Sequence, residues 1–426
     1  MLLQAQQLEH ARKWAQAWPL YLQAYEQQGD LDALAQAAWC ASLAKEFDCS
    51  AKLYMRLSEL QPDEPWWAQS VGYQMASQKH TREAVKWFER AIQLDPNYFV
   101  AHYRLGSAFV RLLGDYQPYR QKEFYQALNQ FNRCDALYAS MDVPEQAEHK
   151  AIYKKSCFQK GKLLLASHQW EQAAQCFTRA KSLSDKPDAD CDYNLALIAY
   201  QKGDYEQALS ALPPADSRFY ISELHGDILW KLNQREEAFR LIRLAAKQRN
   251  SDALNRKLAS MYYAAQDYEQ AFQWAQRALR INPRNHKNHL GMAMVCEKLG
   301  FLDKAESEAA QAVELKQSQY ASAYPKAQNL LEDIRAQKLL NDYPGDDAER
   351  LVALSAENAR QQGVVERYDP ERRFGFIQAE NARYFFHYNQ VERESRDRIH
   401  PGVKVDFEVG ANDQGSCAVQ VHVCFL

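Results

Sequence analysis

Apolar residues recur at three- to four-residue spacing almost without interruption from residue 1 to about 340, whereas from residue 363 they alternate with polar neighbours. The first spacing gives a helix one apolar face; the second sends successive side chains to opposite faces of a strand. The chain therefore divides into a long helical part and a short β part. The helical part is rich in Ala, Gln, Leu and Tyr and poor in Gly and Pro. In the β part, strands are predicted at Gly363 to Tyr368, Phe374 to Gln378, Tyr384 to His387, Lys404 to Val409 and Ser416 to Val423.

The helical part also repeats. Ala238, Ala271 and Ala305 are 33 and 34 residues apart, and Ala245, Ala278 and Ala312 keep the same intervals. Ala17, Ala51 and Ala84 are 34 and 33 apart, with Phe88, Ala91 and Pro96 following Ala84 at offsets of 4, 7 and 12. Gly161, Ala173, Phe177 and Ala180 reproduce the spacing of Gly72, Ala84, Phe88 and Ala91. Small residues where two helices cross, an aromatic one turn later and a helix-ending Pro describe a helical hairpin that stacks on its neighbours. This resembles the tetratricopeptide repeat family over roughly residues 1 to 320, in about nine units with the first incomplete. The unit from Phe99 carries extra residues around Gly114 to Phe124, and the unit from Ala189 is short, ending at Pro213-Pro214.

Tyr324 to Leu340 reads as a capping helix, which closes such an array with a polar outer face. The segment from Asn341 to Asp347 breaks it, and Ala348 to Gln362 reads as a short connecting helix. The expected organisation is a solenoid over 1–340, a partly helical linker over 341–362 and a five-stranded barrel over 363–426. The fold class is mostly α: a tetratricopeptide-type α-solenoid followed by a small β-barrel.

Within the β part, Arg372-Arg373-Phe374-Gly375-Phe376-Ile377 and Tyr384-Phe385-Phe386-His387-Tyr388 form two aromatic strings. Strand alternation puts Phe374 and Phe376 on one face, and Phe385 and His387 on one face of the next strand, with Gly375 keeping the gap between rings open. Four flat groups on a small sheet can stack unpaired bases at roughly 1 to 3 kcal/mol per base. These strings resemble those of the cold-shock domain, an OB-fold barrel. The resemblance implies base stacking by Phe374, Phe376, Phe385 and His387, with Tyr368 and Tyr388 alongside and Arg372 near a phosphate. Two positions depart from the family: Arg367 stands at its exposed Trp, where a guanidinium plane can also stack, and Arg373 at its Gly, a position that strains if its φ is positive.

The formal charge is only −3, so attraction to phosphates depends on local clusters. Residues 363–426 hold eight Lys and Arg against ten Asp and Glu. Lys231 to Lys287 holds twelve against five, a balance of +7 in 57 residues. The repeat resemblance implies that the first helix of each hairpin lines a groove. That places Trp66, Tyr73, Tyr103, Lys155, Phe158, Lys162, Tyr193, Tyr200, Tyr220, Trp230, Lys231, Arg256 and Tyr263 there. Aromatics interleaved with cations suit a strand of RNA or an extended peptide; the alternative is that these rings pack against neighbouring helices.

Nine dispersed cysteines without a Cys-x-x-Cys pair argue against a zinc ribbon or a disulfide framework. His286 and His289 read as exposed polar positions, not metal ligands, and no motif for phosphate cradling, metalloprotease or acyl-transfer chemistry is present. No cofactor, metal or catalytic residue is expected. The opening residues Met1 to Gln7 lack a secretory pattern and no apolar run reaches membrane-spanning length, so a cytoplasmic location and no membrane partner are expected. Two functions remain open. One is an adaptor binding single-stranded RNA, or DNA, through the barrel while the groove engages a protein or the same strand; the other is a protein-interaction scaffold whose barrel makes protein contacts.

Overall fold

The computed structural model describes the chain except for residues 1, 115–117, 215–217, 341–342, 357–360, 380–381, 413–414 and 425–426. The chain forms two compact units, residues 1–215 with 231–233, and residues 216–230 with 234–426. In the first, α1 (Leu2–His10) and α2 (Trp14–Gln28) make a short opening hairpin. Then come α3 (Leu31–Leu43) with α4 (Phe47–Leu60), α5 (Pro65–Ser77) with α6 (Thr81–Leu94), and α7 (Phe99–Leu112) with α8 (Lys122–Ser140). The pairs α9 (Val143–Ala166) with α10 (Trp170–Ser182), and α11 (Ala189–Lys202) with the short α12 (Tyr205–Ala211), follow. The second unit pairs α13 (Phe219–Lys231) with α14 (Arg235–Gln248), α15 (Asp252–Ala264) with α16 (Tyr268–Ile281), and α17 (His286–Leu299) with α18 (Leu302–Tyr320). A capping helix α19 (Pro325–Leu340), a connector helix α20 (Ala348–Ala356) and a barrel complete it.

Four of the hairpins share one close approach. The repeating alanines of the second helices, among them Ala84, Ala173, Ala238, Ala271 and Ala305, have no exposed surface. One turn later a bulky side chain wedges against the small residue of the first helix. A Cβ added to Gly72 would stand 2.6 Å from the Phe88 ring, one on Gly106 2.8 Å from Phe131, one on Gly161 2.9 Å from Phe177 and one on Gly226 2.5 Å from Ile242.

The turn inside seven of the hairpins is also repeated. Lys45, Lys79, His168, Gly203, Asn233, Gln266 and Gly300 all have φ between 60° and 91°. The next residue's N–H closes back on the first helix, as in Glu46 to Ala41, His80 to Met75, Gln169 to Leu164, Asp267 to Tyr262 and Phe301 to Cys296, at 2.9–3.0 Å. These are Schellman-type closures, which satisfy carbonyls that a helix end leaves unpaired.

In the second unit the connector packs on the last hairpin. The Asp346 carboxylate accepts from the N–H groups of Asp303 and Lys304 at 2.9 Å each, capping the start of α18 from outside its own segment. The Tyr343 hydroxyl donates to the Gly300 carbonyl at 2.8 Å and accepts from the Leu302 N–H at 3.1 Å, while Leu351 and Leu354 join the core of α16 to α18. The connector helix ends at Ala356, short of the expected Gln362. Gln361 and Gln362 instead pair with Phe407 and Asp406, so the barrel begins at residue 361.

His286 and His289 are not the exposed positions the sequence suggested. His286 is 5% exposed, edge-on to Tyr320 and Tyr324. The His289 ring lies 2.7 Å from both the Glu308 carboxylate and the Pro283 carbonyl. Two acceptors on two ring nitrogens require two N–H donors, which is the imidazolium. Burial works to lower its pKa, and the Glu308 and Pro283 hydrogen bonds more than offset this, leaving it above the ordinary histidine value.

The barrel strands are β1 (Gln361–Asp369), β2 (Phe374–Ala379), β3 (Arg383–His387), β4 (Lys404–Asn412) and β5 (Gly415–Val423), closed in the order β1-β2-β3-β5-β4. All pairings are antiparallel except β3 with β5. Val365, Ile377, Phe386, Val405, Phe407, Ala418 and Val421 fill the interior, each at most 1% exposed.

Two measurements check these contacts. Gly72→Ala should cost about 1 to 2 kcal/mol in urea unfolding despite alanine's higher helix propensity, because the ring above it is overpacked. In a Phe88→Leu background the same change should be neutral or stabilising, and simple additivity would refute the wedge. For His289, a folded pKa above the unfolded value means its contribution is full below about pH 6.5 and is lost as pH rises through the folded value. His289→Gln should therefore cost about 1 to 2 kcal/mol at pH 6 and distinctly less at pH 9.

Candidate nucleic-acid interface

The outward face of β2 and β3 carries the aromatic strings in register. Phe374 stands opposite His387 and Phe376 opposite Phe385. All four rings are half-buried, whereas Ile377 and Phe386, one residue off in the alternation, have no exposed surface. Phe374 lies 5.7 Å from Phe385, Phe376 lies 5.8 Å from Phe385, and Phe374 meets Phe376 edge-on at 6.2 Å. Such separations are those of mutually supporting aromatic pairs. The His387 Nδ1 accepts from the Asn389 N–H at 3.2 Å, which fixes its ring and leaves the proton on Nε2.

Arg383 belongs to this face by strand alternation with Phe385 and His387. Its guanidinium lies 4.3 Å from the centre of the Phe376 ring and pairs with Glu366 at 2.6 Å. The sequence reading passed over it, although the two-residue period from Phe385 points to it. Arg367 is exposed and opposite Phe376, beside an irregularity in the β1–β2 register. Arg372 is exposed on the turn, where Asp369 accepts from its N–H at 2.9 Å.

Two expectations change, and the condition set for Arg373 is met. Gly375 does not separate the rings: it alternates away from them into the barrel, where a Cβ would stand 2.5 Å from the Arg367 carbonyl and 2.6 Å from the Phe386 ring. Tyr368 and Tyr388 lie outside the four-ring cluster. Tyr368 stacks on Phe386 at 6.0 Å and on Tyr388 at 6.4 Å, so both pack on the core side. Arg373 has φ of 56°, the left-handed region in which a glycine is easier. Its carbonyl accepts from the Tyr388 N–H at 2.8 Å and its guanidinium lies 5.8 Å from that ring, contacts that hold the turn.

Within the first unit, Lys155 and Lys162 are exposed on α9, but Phe158 turns inward and meets Phe177 edge-on at 5.5 Å, so it packs between hairpins. Tyr193 and Tyr200 are half-buried on α11, and Tyr200 lies 5.7 Å from Tyr205. Trp66 is 42% exposed, and Tyr73 and Tyr103 line one small cavity.

Within the second unit, Tyr220 accepts from Arg218 at 2.5 Å. Trp230 is edge-on to Phe239 at 5.6 Å under Arg235; Lys231, which belongs with the first unit, is exposed. Arg256 and Tyr263 share a cavity of about 230 Å³ with Lys287, Tyr324 and Lys326. Arg256 donates to Asn288 at 2.7 Å and lies 3.7 Å from Asp252. The basic stretch is not one free patch, because Lys257 is paired with Glu223 and Asp227, and Arg240 with Glu237. Among the described residues, no cluster of His, Cys, Asp or Glu could hold a metal ion, and no helix is long and apolar enough to cross a membrane.

Comparison with known proteins agrees with this architecture. The family described as 'Cold-shock' DNA-binding domain matches residues 361–424. TPR repeat models match 72–112, and Tetratricopeptide repeat models match 158–212 and 224–286. These are families of non-catalytic kinds. Cold shock-like protein CspD of Haemophilus influenzae is 38% identical over 61 residues, 14% of this chain and 85% of that protein. A TPR repeat-containing protein of Methanocaldococcus jannaschii is 24% identical over 286 residues, 63% of this chain, which spans 46% of that protein's length. The crystal structure of YrrB, described as a TPR protein with an unusual peptide-binding site, aligns with 51% of this chain and 99% of its own at 15% identity and a TM-score of 0.39. The chain is a tetratricopeptide-repeat protein ending in a cold-shock domain, its residues 361–424 belonging to the cold-shock family.

Proposed function

We propose that this protein is a non-catalytic adaptor of the cytoplasm that binds single-stranded nucleic acid, RNA in the first place, on its barrel while the helical array receives a protein partner. The observation that carries this reading is the register of β2 and β3, which sets Phe374, Phe376, Phe385 and His387 on one outward face. Every base has a flat face, so such a platform takes a strand with little regard to sequence. Arg383, stacked on Phe376, extends the platform with a cation beside the rings. Arg367 and Arg372, exposed nearby, supply phosphate contacts.

Stacking carries most of the binding, since the barrel has fewer basic than acidic residues. With three cations at the face and a slope near −0.7 per neutralised phosphate, log affinity should fall with log salt at a slope of about −2. A fluorescent single-stranded oligonucleotide titrated at several salt concentrations measures this, and a slope near zero removes the arginines from the account. In the same assay Phe374→Ala with Phe385→Ala should weaken binding about tenfold or more. Unchanged affinity would leave the barrel as a protein-contact module. A ribose strand should bind more tightly than its deoxyribose counterpart of the same sequence; the reverse order would make DNA the ligand.

A further inference from the structure

Helices α5 and α7 of the first unit leave between them a cavity of about 60 Å³, walled by the rings of Tyr73, Tyr103 and Phe88 and lined by Arg104, Ser107 and Arg111. The Arg104 guanidinium lies 4.4 Å from the centre of the Tyr73 ring. Its Nε is buried without a hydrogen-bond partner, and so is the Ser107 hydroxyl. The ionisable groups that act on Arg104 are Tyr103, Tyr73, Tyr98 and a second cation, Arg111, with no carboxylate among them. Arg111 donates to the Ala76 carbonyl at 3.1 Å. Burial, with Arg111 adding to it, pulls the Arg104 pKa below its ordinary value. A half-buried charge with no counter-charge is costly where it is desolvated, and an orphan hydroxyl beside it adds to the cost.

We propose that this cavity is the seat of a phosphomonoester, carried on the protein partner as a phosphorylated serine or threonine. Its volume is that of four to six waters at about 10 to 15 Å³ each, enough for a phosphoryl group. A phosphomonoester bears close to two negative charges, which two guanidinium groups match, and the planar fork of arginine suits its oxygens. The Ser107 hydroxyl would gain the partner it lacks. The cavity is small and ringed by aromatic walls, so it admits a terminal group; a diester inside a strand carries substituents on both sides.

The surroundings favour a peptide over the end of a nucleic acid. Residues 65–140 hold nine Lys and Arg against six Asp and Glu, and Arg104 and Arg111 are two of the nine. The other seven are nearly balanced by acids, which leaves no cationic track for a polyanion to follow. The proposal rests on the reading of the array as protein-receiving and is independent of the barrel's aromatic face.

Calorimetric titration of the full chain tests it, using inorganic phosphate, a short Gly-Ala peptide with one phosphoserine, its unphosphorylated form and a 5′-phosphorylated oligonucleotide. Phosphate and the phosphopeptide should bind saturably and the unphosphorylated peptide should not. Arg104→Lys should weaken phosphopeptide binding about tenfold or more, and Arg104→Met should abolish it. Without phosphate, Arg104→Met should unfold at or above the wild-type temperature, because the unpaired buried charge is gone, and its oligonucleotide affinity should be unchanged. Absence of a phosphate response in the wild type, or a response that survives Arg104→Met, overturns the site. Tighter, Arg104-dependent binding of the 5′-phosphorylated oligonucleotide overturns the protein partner. Because the barrel variants act only on oligonucleotide binding, failure of the phosphate site is distinguishable from failure of the proposed function.

Discussion

Four hairpins of the helical part depend on one close approach: a glycine on the first helix lying under a bulky side chain of the second. Phe88, Phe131 and Phe177 each fill the space that a Cβ would need on Gly72, Gly106 and Gly161. The same contact sets the distance between the two helices and leaves those rings at most 1% exposed. It also explains why the period can stretch between α7 and α8 or contract at α12 without loss of the pattern. Extra or missing residues fall outside the wedge, and Ala127 and Ala208 remain fully buried at their places.

The barrel obeys a shorter constraint. Closure of β1 on β4 and of β3 on β5 leaves each side chain only two destinations, inside or outside. Phe386 and Ile377 fill the interior, so Phe385 and Phe376 must face out, and the base-receiving platform is the complement of the core. Gly375 belongs to the inside half of this division: a Cβ there would meet both the Phe386 ring and the Arg367 carbonyl of β1.

Much of this was legible in the sequence because it rests on period. The repeat interval located the hairpins, the insertion after α7 and the short α12, and two-residue alternation located the strands and the four rings. What escaped depends on φ angles and on partners distant in sequence. Five of the seven left-handed turn residues are Lys, His, Asn or Gln, so no glycine marks them. The cap that Asp346 gives to α18 spans more than forty residues and has no local signature. Phe158 was placed in a groove by position alone, and only the wedge of Phe177 beside it shows that it packs. Arg104 was missed for the opposite reason: it sits between Tyr103 and Leu105 in an ordinary helical string, and its lack of a partner is visible only in three dimensions.

The two candidate sites use opposite physics, and that difference bears on how the protein could work. On the barrel, the cation nearest the rings is already paired: Arg383 lies over Phe376 and is held by Glu366. Much of its charge is spent before a strand arrives, so the rings must supply most of the attraction, with the salt dependence limited to the few cations at the face. In the cavity between α5 and α7 the reverse holds, since Arg104 lies over the Tyr73 ring with no carboxylate acting on it and its Nε is buried without a hydrogen bond. A ligand there gains from charge what it cannot gain from area, in a space of about 60 Å³. On the two proposals, a platform indifferent to sequence and a cavity selective for one small anion would divide affinity from specificity. In such a division the barrel would hold many strands, and the modification state of a partner would decide which assemblies form around them.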